Sequence, residues 1–433
     1  MRVDPIHDYD PDTNTATLAL PADRQIILVE DGAVRIADAV ELNVDEERLQ
    51  LIADACIHYP TKKILSLSPP PLGELVSEVE QIVRRHIVLL DTQAYTCLAC
   101  WIVASHFFPV FEAFPVLYIG KLGYSRGGST TLALTLALSP RPHVLVDPTA
   151  AYIMRMVEQA KPTLGIDEVE RDQQHLRHIL VLVRAGFHKR YRSGRAVGAG
   201  KRIVPYNLYC PKAVVDPEGA IENAAALSRG LRIVLARADK KVEIPDPDLF
   251  TKKYRDIVDT LYSAYIHYHD KVRQAYEEIL ANAQELGLTG RSVQAYSPIL
   301  AIAKLAGKET YETVLSYVKK LDSEKPGIER AVALLSTILD IVENEKVFRT
   351  GLDGKPYLDL LEVARRADKQ LRQLFGRRVY STDIENALRN ALPPATLVYT
   401  IRAGRRIAIF QHCKDEEECR QWLINELRTI LGT

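Results

Sequence analysis

The period of apolar and polar positions changes several times along the 433-residue chain, and each change marks a candidate boundary. Thr15-Ala-Thr-Leu-Ala-Leu20 and Arg24-Gln-Ile-Ile-Leu-Val29 are short alternating or apolar runs, with turn signals at Pro21 and Asp31-Gly32. Residues 1–45 are therefore expected to form a small β region. Over 46–104 the pattern turns helical, broken at Ser68-Pro-Pro-Pro71, which predicts a helical lead-in. From Phe114 to about Val242 strand and helix patterns alternate, so residues 105–245 read as an α/β core with a mainly parallel sheet. Residues 246–346 read as a helical lid or bundle, with Tyr254, Ile257, Val258 and Leu261, then Val314, Val318 and Leu321, at helical spacing. The last stretch, 347–433, mixes helices with one hairpin candidate, and neither an internal repeat nor a low-complexity linker is visible.

Composition adds little to this picture. Hydrophobic residues make up 47% and charged residues 26%, as in an ordinary globular protein, and a net charge of zero leaves partner choice to local charge. Met1 to Asp10 is acidic and has no apolar core of the kind a secretory signal needs. The apolar stretch Thr96 to Val116 is interrupted by Ser105, His106, Pro109 and Glu112, so it reads as a buried helix followed by a strand, with no membrane partner expected. Cys97 and Cys100 lie in the helix-like segment Tyr95–Val103, far from the other close pair, Cys413 and Cys419. Buried reduced thiols are expected, in place of a zinc knuckle or a disulfide framework, and with them a cytoplasmic location.

The chemistry begins where the strand Phe114-Pro-Val-Leu-Tyr-Ile-Gly120 gives way to a helix of Thr, Leu and Ala from Thr130 to Leu138. Between them lies Gly123-Tyr-Ser-Arg-Gly-Gly-Ser-Thr130, which fits the phosphate-loop frame G-x-x-x-x-G-K-[ST] with Gly123 first and Gly128 second, but with Ser129 where the lysine belongs. Such glycines turn backbone N–H groups toward phosphate oxygens, and the helix start adds its dipole. Gly123, Arg126, Gly127, Gly128, Ser129 and Thr130 are thus the candidate ATP contacts, with Thr130 also a ligand for Mg²⁺. Lys121 or Arg126 can bring the missing cation from another direction. The bland alternative is a Gly/Ser-rich turn.

About forty residues on, Leu164-Gly-Ile-Asp-Glu168 places two carboxylates after an apolar run. In the ATPase reading Asp167 binds Mg²⁺ through water and Glu168 polarises the attacking water. From Gln173 to Val215 there is no acidic residue, yet nine Lys or Arg occur. Lys189, Arg190, Arg192, Arg195, Lys201 and Arg202, interleaved with Tyr191 and several glycines, predict a projecting basic hairpin suited to DNA phosphates, or else a basic face toward an acidic neighbour. Ile203 to Lys212 reads as another core strand, on which Asn207 is a candidate for contacting the γ-phosphate or the attacking water. In Ala226-Leu-Ser-Arg229, an arginine just before a final strand is a candidate finger toward a neighbouring subunit's nucleotide.

Taken together, Phe114-Pro115, the degenerate loop, Asp147-Pro-Thr149, Pro162 to Glu168, Ala185-Gly-Phe187, Tyr209-Cys-Pro-Lys-Ala213, Leu227-Ser-Arg229, Gly290-Arg291 and Ser297 to Ala303 resemble a family. The chain is similar, over roughly residues 90–305, to the primase/helicase-associated AAA-type P-loop ATPases of archaea, phages and integrated mobile elements. The resemblance implies an AAA-type core, a homo-oligomer that can be a ring, and work on DNA in replication. It also implies that Thr130, Asp167, Glu168 and Arg229 hold the family's magnesium, acidic and finger positions, and that Arg291 is a sensor beyond the lid. Ser129 is the departure, and it bears on turnover more than on fold.

At the C-terminus, Ser381-Thr-Asp-Ile-Glu385 starts a helix that ends before Pro393-Pro394, and Leu397–Arg402 and Arg406–Phe410 flank Ala403-Gly404-Arg405. A helix followed by an arginine-tipped hairpin suggests a winged-helix-like module in which Arg402, Arg405 and Arg406 reach phosphates. The whole reads as an ATPase-like, helicase- or replication-associated protein acting on DNA. The alternative is a DNA- or partner-binding protein on an inactive ATPase scaffold.

Overall fold

The structure is a computed structural model that describes residues 3–121, 127–145, 149–167, 183–197, 202–216, 224–236, 247–323, 328–351, 353–375, 378–392, 397–402, 405–410 and 413–431. It divides into two compact units, Met1–Ser323 and Glu324–Thr433.

The first unit opens with a four-stranded antiparallel sheet of β1 (His7–Asp10), β2 (Thr15–Leu20), β3 (Gln25–Glu30) and β4 (Ala33–Asp38), in that order. Asp31-Gly32 closes the last hairpin, both residues having positive φ. β2 is buried at every position because the sheet has apolar neighbours on both faces. Ala16, Leu18 and Leu20 join the main core, while Ala19 packs with Ile26, Leu49, Ile52 and Met156 on the other side. The helical lead-in follows as α1 (Glu46–Ala55), α2 (Leu72–His86) and α3 (Gln93–His106). α2 buries Leu72, Leu75, Val76, Val79, Ile82 and Val83, an i, i+3, i+4 stripe on an otherwise charged helix. α3 carries no charge and is buried nearly all round; Cys97 and Cys100 sit within it as free thiols.

The core sheet is built from β5 (Val116–Lys121), β6 (Pro142–Leu145), β7 (Thr163–Ile166), β10 (Lys212–Asp216) and β11 (Gly230–Leu235), in the order β11-β5-β10-β7-β6. All four pairings are parallel, as expected for an AAA-type α/β core. Its strands alternate between two apolar layers: Leu117, Ile119, Ala213 and Val215 face α3 and α4 (Gly128–Ala137), while Val116, Tyr118, Leu164, Ile166 and Val214 face α5 (Ala150–Ala160). Gly165 lets α4 lie directly on β7, since a Cβ there would collide with Leu136. The threonines of α4 are not wasted polarity: Thr131 and Thr135 each donate to the carbonyl four residues back at 2.7 Å, and so does Ser139 beyond the helix.

The far end of α4 is tied to the rest of the unit by a polar cluster. His58 and His106 meet the carbonyls of Ala137 and Leu138 through Nε2 at 3.0 and 2.9 Å. Arg141, 1% exposed, donates to the carbonyls of Ala160 and Lys161 and to His7 Nδ1, while its backbone N–H donates to the Tyr262 hydroxyl. Burial pushes both His58 and His106 down to about 3, so both rings are neutral near pH 7. The helical region comprises Arg255–Ala281, Arg291–Ala306 and Lys308–Ser323.

Two expectations change here. Ile203–Lys212 is not one core strand: β9 (Arg202–Tyr206) pairs antiparallel with β8 (Ser193–Val197) in a separate two-stranded ribbon, and the core strand starts at Lys212. The basic segment is therefore a hairpin, and its second arm takes residues assigned to the core from their apolarity alone. The helix Ile328–Asn344, expected to belong with the helical region over 246–346, falls in the second unit, because Leu334, Leu335, Ile338 and Val342 pack there with Leu358, Val363, Ile384 and Leu423.

The second unit surrounds a four-stranded antiparallel sheet, β12 (Phe348–Thr350), β13 (Pro356–Asp359), β15 (Arg405–Phe410) and β14 (Leu397–Arg402), in that order. Helices Leu360–Phe375, Ser381–Ala391 and Glu416–Leu431 complete it. The last β-hairpin is the expected wing, but it is half of a larger sheet whose first two strands are too short to stand out in the sequence. No described helix of the chain is long and apolar enough to cross a membrane.

Candidate nucleotide site and the basic surface

Parallel strands bring their carboxyl ends to one side, and there the sheet gathers its candidate site. β5 leads toward α4, whose first turn holds Gly128, Ser129 and Thr130. Gly127 caps that helix with φ 123°, a conformation side-chain-bearing residues rarely adopt, and a Cβ there would meet open space. Its carbonyl accepts from Thr131 N at 2.8 Å and Thr131 Oγ1 at 2.7 Å, which fixes the helix start. Asp167 follows directly on β7, and Ser129 Oγ donates to Asp167 Oδ1 at 3.2 Å. The glycine-lined helix start and the first acidic position therefore lie together, two strands apart. Gly123, Arg126 and Glu168 lie outside the described residues.

One more carboxylate stands at this end of the sheet, but on its other face: Asp216 shares the α5-facing side with Val214 and Tyr118, and its charge acts on the Tyr118 hydroxyl. β10 sits between β5 and β7, and its last residue, Asp216, lies opposite Gly120 in register and is 8% exposed. Its signal was present: Ala213-Val-Val-Asp216 ends an apolar run in an acid, as Leu164-Gly-Ile-Asp167 does. The hydroxyl and carboxylate oxygens of Thr130 and Asp167 are of the kind that suits Mg²⁺, which keeps waters and takes phosphate oxygens as its remaining ligands. Among the described residues no group of three His, Cys, Asp or Glu forms an all-protein metal cage.

Asn207, Arg229 and Arg291 are not brought to this end. Asn207 precedes β10 by several residues, at the amino end of the sheet, where its Oδ1 accepts from Tyr209 N at 3.1 Å and its backbone N–H donates to Glu158. It is a turn residue, not a γ-phosphate contact. Arg229 immediately precedes β11, its carbonyl accepting from Val116 N at 3.0 Å, so it too lies at the amino end. Its guanidinium sits 5.7 Å over the Phe187 ring, and burial together with the like charges of Arg291 and Arg184 lowers its pKa. Arg291, exposed at the first turn of its helix, is one of the like charges acting on Arg229, so it shares the surroundings of Arg229 and not those of the α4 start where a sensor was expected.

The expected DNA contacts are unevenly placed. Lys189 Nζ is consumed internally, by Asp8 Oδ1 at 2.8 Å and the carbonyls of Tyr9 and Pro109 at 2.7 and 2.8 Å. Arg190, exposed, pairs with Glu112 at 3.1 Å, and Arg192 donates to the carbonyls of Lys189 and Tyr191. Arg195 and Arg202 lie in the two arms of the ribbon, and Lys201 lies outside the described residues. In the second unit Arg405 reaches Asp359 Oδ2 at 3.2 Å and Arg406 reaches Glu385 Oε2 at 2.7 Å, while Arg402 ends β14. Against a burial that would raise it, hydrogen bonds from Arg389 and Arg406 hold the Glu385 carboxyl below the usual carboxylate range. Arg406 therefore latches the wing to the helix before it, instead of projecting freely.

No protein-family model matches this chain, and no curated protein matches it either. Among solved structures, the apo C-terminal region of NrS-1 is similar over 89% of this chain and 93% of its own, at 12% identity and a TM-score of 0.34. The Aeropyrum pernix ORC2 protein, solved as ADPNP–ADP complexes, is similar over 86% and 98%, at 10% identity and a TM-score of 0.18. CDC6p from Pyrobaculum aerophilum is similar over 85% and 96%, at 12% identity and a TM-score of 0.17. At these scores the likenesses carry no argument about what this chain does.

Proposed function

We propose that the chain is an ATPase-like protein that binds a magnesium–nucleoside triphosphate at the start of α4 and acts on DNA. The observation that carries this reading is the 3.2 Å contact between Ser129 and Asp167, which sets a phosphate-loop-type helix start beside an acidic side chain at the carboxyl ends of parallel strands. In this reading the first-turn backbone N–H groups receive phosphate oxygens, Thr130 and Asp167 hold Mg²⁺ directly or through water, and Glu168 orients the attacking water. Arg229 lies at the other end of the sheet, so it serves only a nucleotide bound by another copy, as in a homo-oligomer or ring.

A second reading, a DNA- or partner-binding protein on an inactive scaffold, is favoured by Ser129 itself: the loop lacks its lysine, and the serine hydroxyl occupies an oxygen of Asp167. A titration with Mg²⁺–ATP, wild type against Ser129→Lys, separates them. The ATPase reading expects measurable affinity in the wild type and tighter binding with faster turnover in the variant. Absence of binding in both ends it. DNA binding that survives Glu168→Gln without any hydrolysis supports the second reading.

A further inference from the structure

The turn His188–Tyr191 presents a flat aromatic surface that neither the core nor the nucleotide site uses. Tyr191 is 58% exposed although its ring stacks on His188, with centroids 4.6 Å apart and planes 22° from parallel. One face is thus backed and the other is turned outward. The turn is held from below: Tyr191 N donates to the His188 carbonyl at 3.2 Å, Lys189 N to the Glu112 carbonyl at 2.8 Å, and Arg192 to the Tyr191 carbonyl at 3.2 Å. The pinned turn and the stack on His188 restrict the tyrosine before any ligand arrives, which lowers the cost of stacking. Half-buried Arg229 lies close enough for the Tyr191 hydroxyl to act on it, and two exposed cations from separate elements, Arg184 on the preceding helical turn and Arg291 at its helix start, act on Arg229 as well. Arg190 is partly neutralised by Glu112 and adds less.

We infer that the outward face of Tyr191 is a stacking site for an unpaired nucleobase, with Arg184 and Arg291 receiving the flanking phosphates of single-stranded DNA. The chemistry favours a single strand over a duplex, because a paired base keeps both of its faces within the helix stack and a free one does not. Arginines spread over separate elements suit a backbone running past the ring better than one compact anion. This deepens the DNA reading of the preceding section and rests on it.

The test uses the full chain and a fluorescent thymidine 20-mer, with an abasic strand of equal length and a duplex as controls, followed by anisotropy. Tyr191→Ala is expected to weaken thymidine-strand binding roughly tenfold and Tyr191→Phe to leave it within about twofold, as for other aromatic base platforms. Binding of the abasic strand is expected to be unchanged by either variant. Arg184→Ala with Arg291→Ala is expected to flatten the salt dependence on both strands. Equal affinity of wild type and Tyr191→Ala for the thymidine strand, or an equal loss on the abasic strand, overturns the stacking site while the DNA reading stands. No binding by the wild type overturns both. If the double arginine variant keeps its salt slope but loses nucleotide-dependent assembly, the cations serve another copy's nucleotide and the inference fails.

Discussion

The two ends of the parallel sheet have opposite chemistry. At the carboxyl end, α4 begins, Asp167 follows β7 and Asp216 ends β10 on the face turned to α5. At the amino end, Arg229 precedes β11, joined by Arg184 and Arg291, and Asn207 is folded into a turn. Parallel topology enforces this sorting, because every strand delivers its last residue to one side and its first to the other. Helix-start N–H groups beside a carboxylate have the chemistry that suits a metal–phosphate. Guanidinium groups whose charges act on one another suit an anion. One copy of the chain cannot bring the two ends together.

The sharpest way to break this comparison is to strike each end separately. Asp167→Ala is expected to remove the Mg²⁺ dependence of nucleotide binding in any assembly state, measured by titration with and without the metal. Arg229→Ala is expected to leave nucleotide affinity intact and to lower turnover about a thousandfold in the assembled protein, as loss of a finger does. If Arg229→Ala instead abolishes nucleotide binding in the isolated chain, the separation of ends is wrong.

The third prediction concerns pH. His58 and His106, held at about 3 in the fold, take up protons near 6.5 when unfolded. The unfolded chain therefore binds more protons between these values, so stability falls as pH drops from about 6.5 toward 3 and is flat above. Denaturant titrations at pH 7 and 4 are expected to differ by several kcal/mol, a gap reduced in His106→Phe. Next, Gly165→Ala is expected to cost about 1–3 kcal/mol by forcing Leu136 and α4 away from β7. It is expected to weaken nucleotide binding as well, because Ser129 and Asp167 separate; intact binding in a destabilised variant would show that the contact is not part of the site. The smallest effect is in the second unit: Glu385→Ala, which frees Arg389 and Arg406, is expected to cost about 1 kcal/mol and to raise DNA affinity slightly if the wing binds phosphates.

Some of this was legible in the chain. The β5–α4 frame, the apolar-Asp signature at position 167 and the wing hairpin all stand in local sequence, where glycine, period and turn residues speak for themselves. Asp216 was legible in the same code and passed over. The basic hairpin was visible as an acid-free run, but its second arm looked like core because Ile203 and Val204 are apolar, and apolarity does not say which partner strand is used.

The sequence by itself determined which residue types follow which period: a β start, a helical lead-in, alternating β and α, and a glycine-rich, lysine-free strand-to-helix junction. Tertiary structure alone decided which of the candidates meet. Asn207, Arg229 and Arg291 sit near core strands or helix starts just as Ser129 and Asp167 do, and only the common direction of the strands divides them into two groups. The fate of Lys189, Arg405 and Arg406 was likewise settled by where Asp8, Asp359 and Glu385 come to rest. Charge along a chain is local, but its neutralisation is a property of contacts between residues far apart in it.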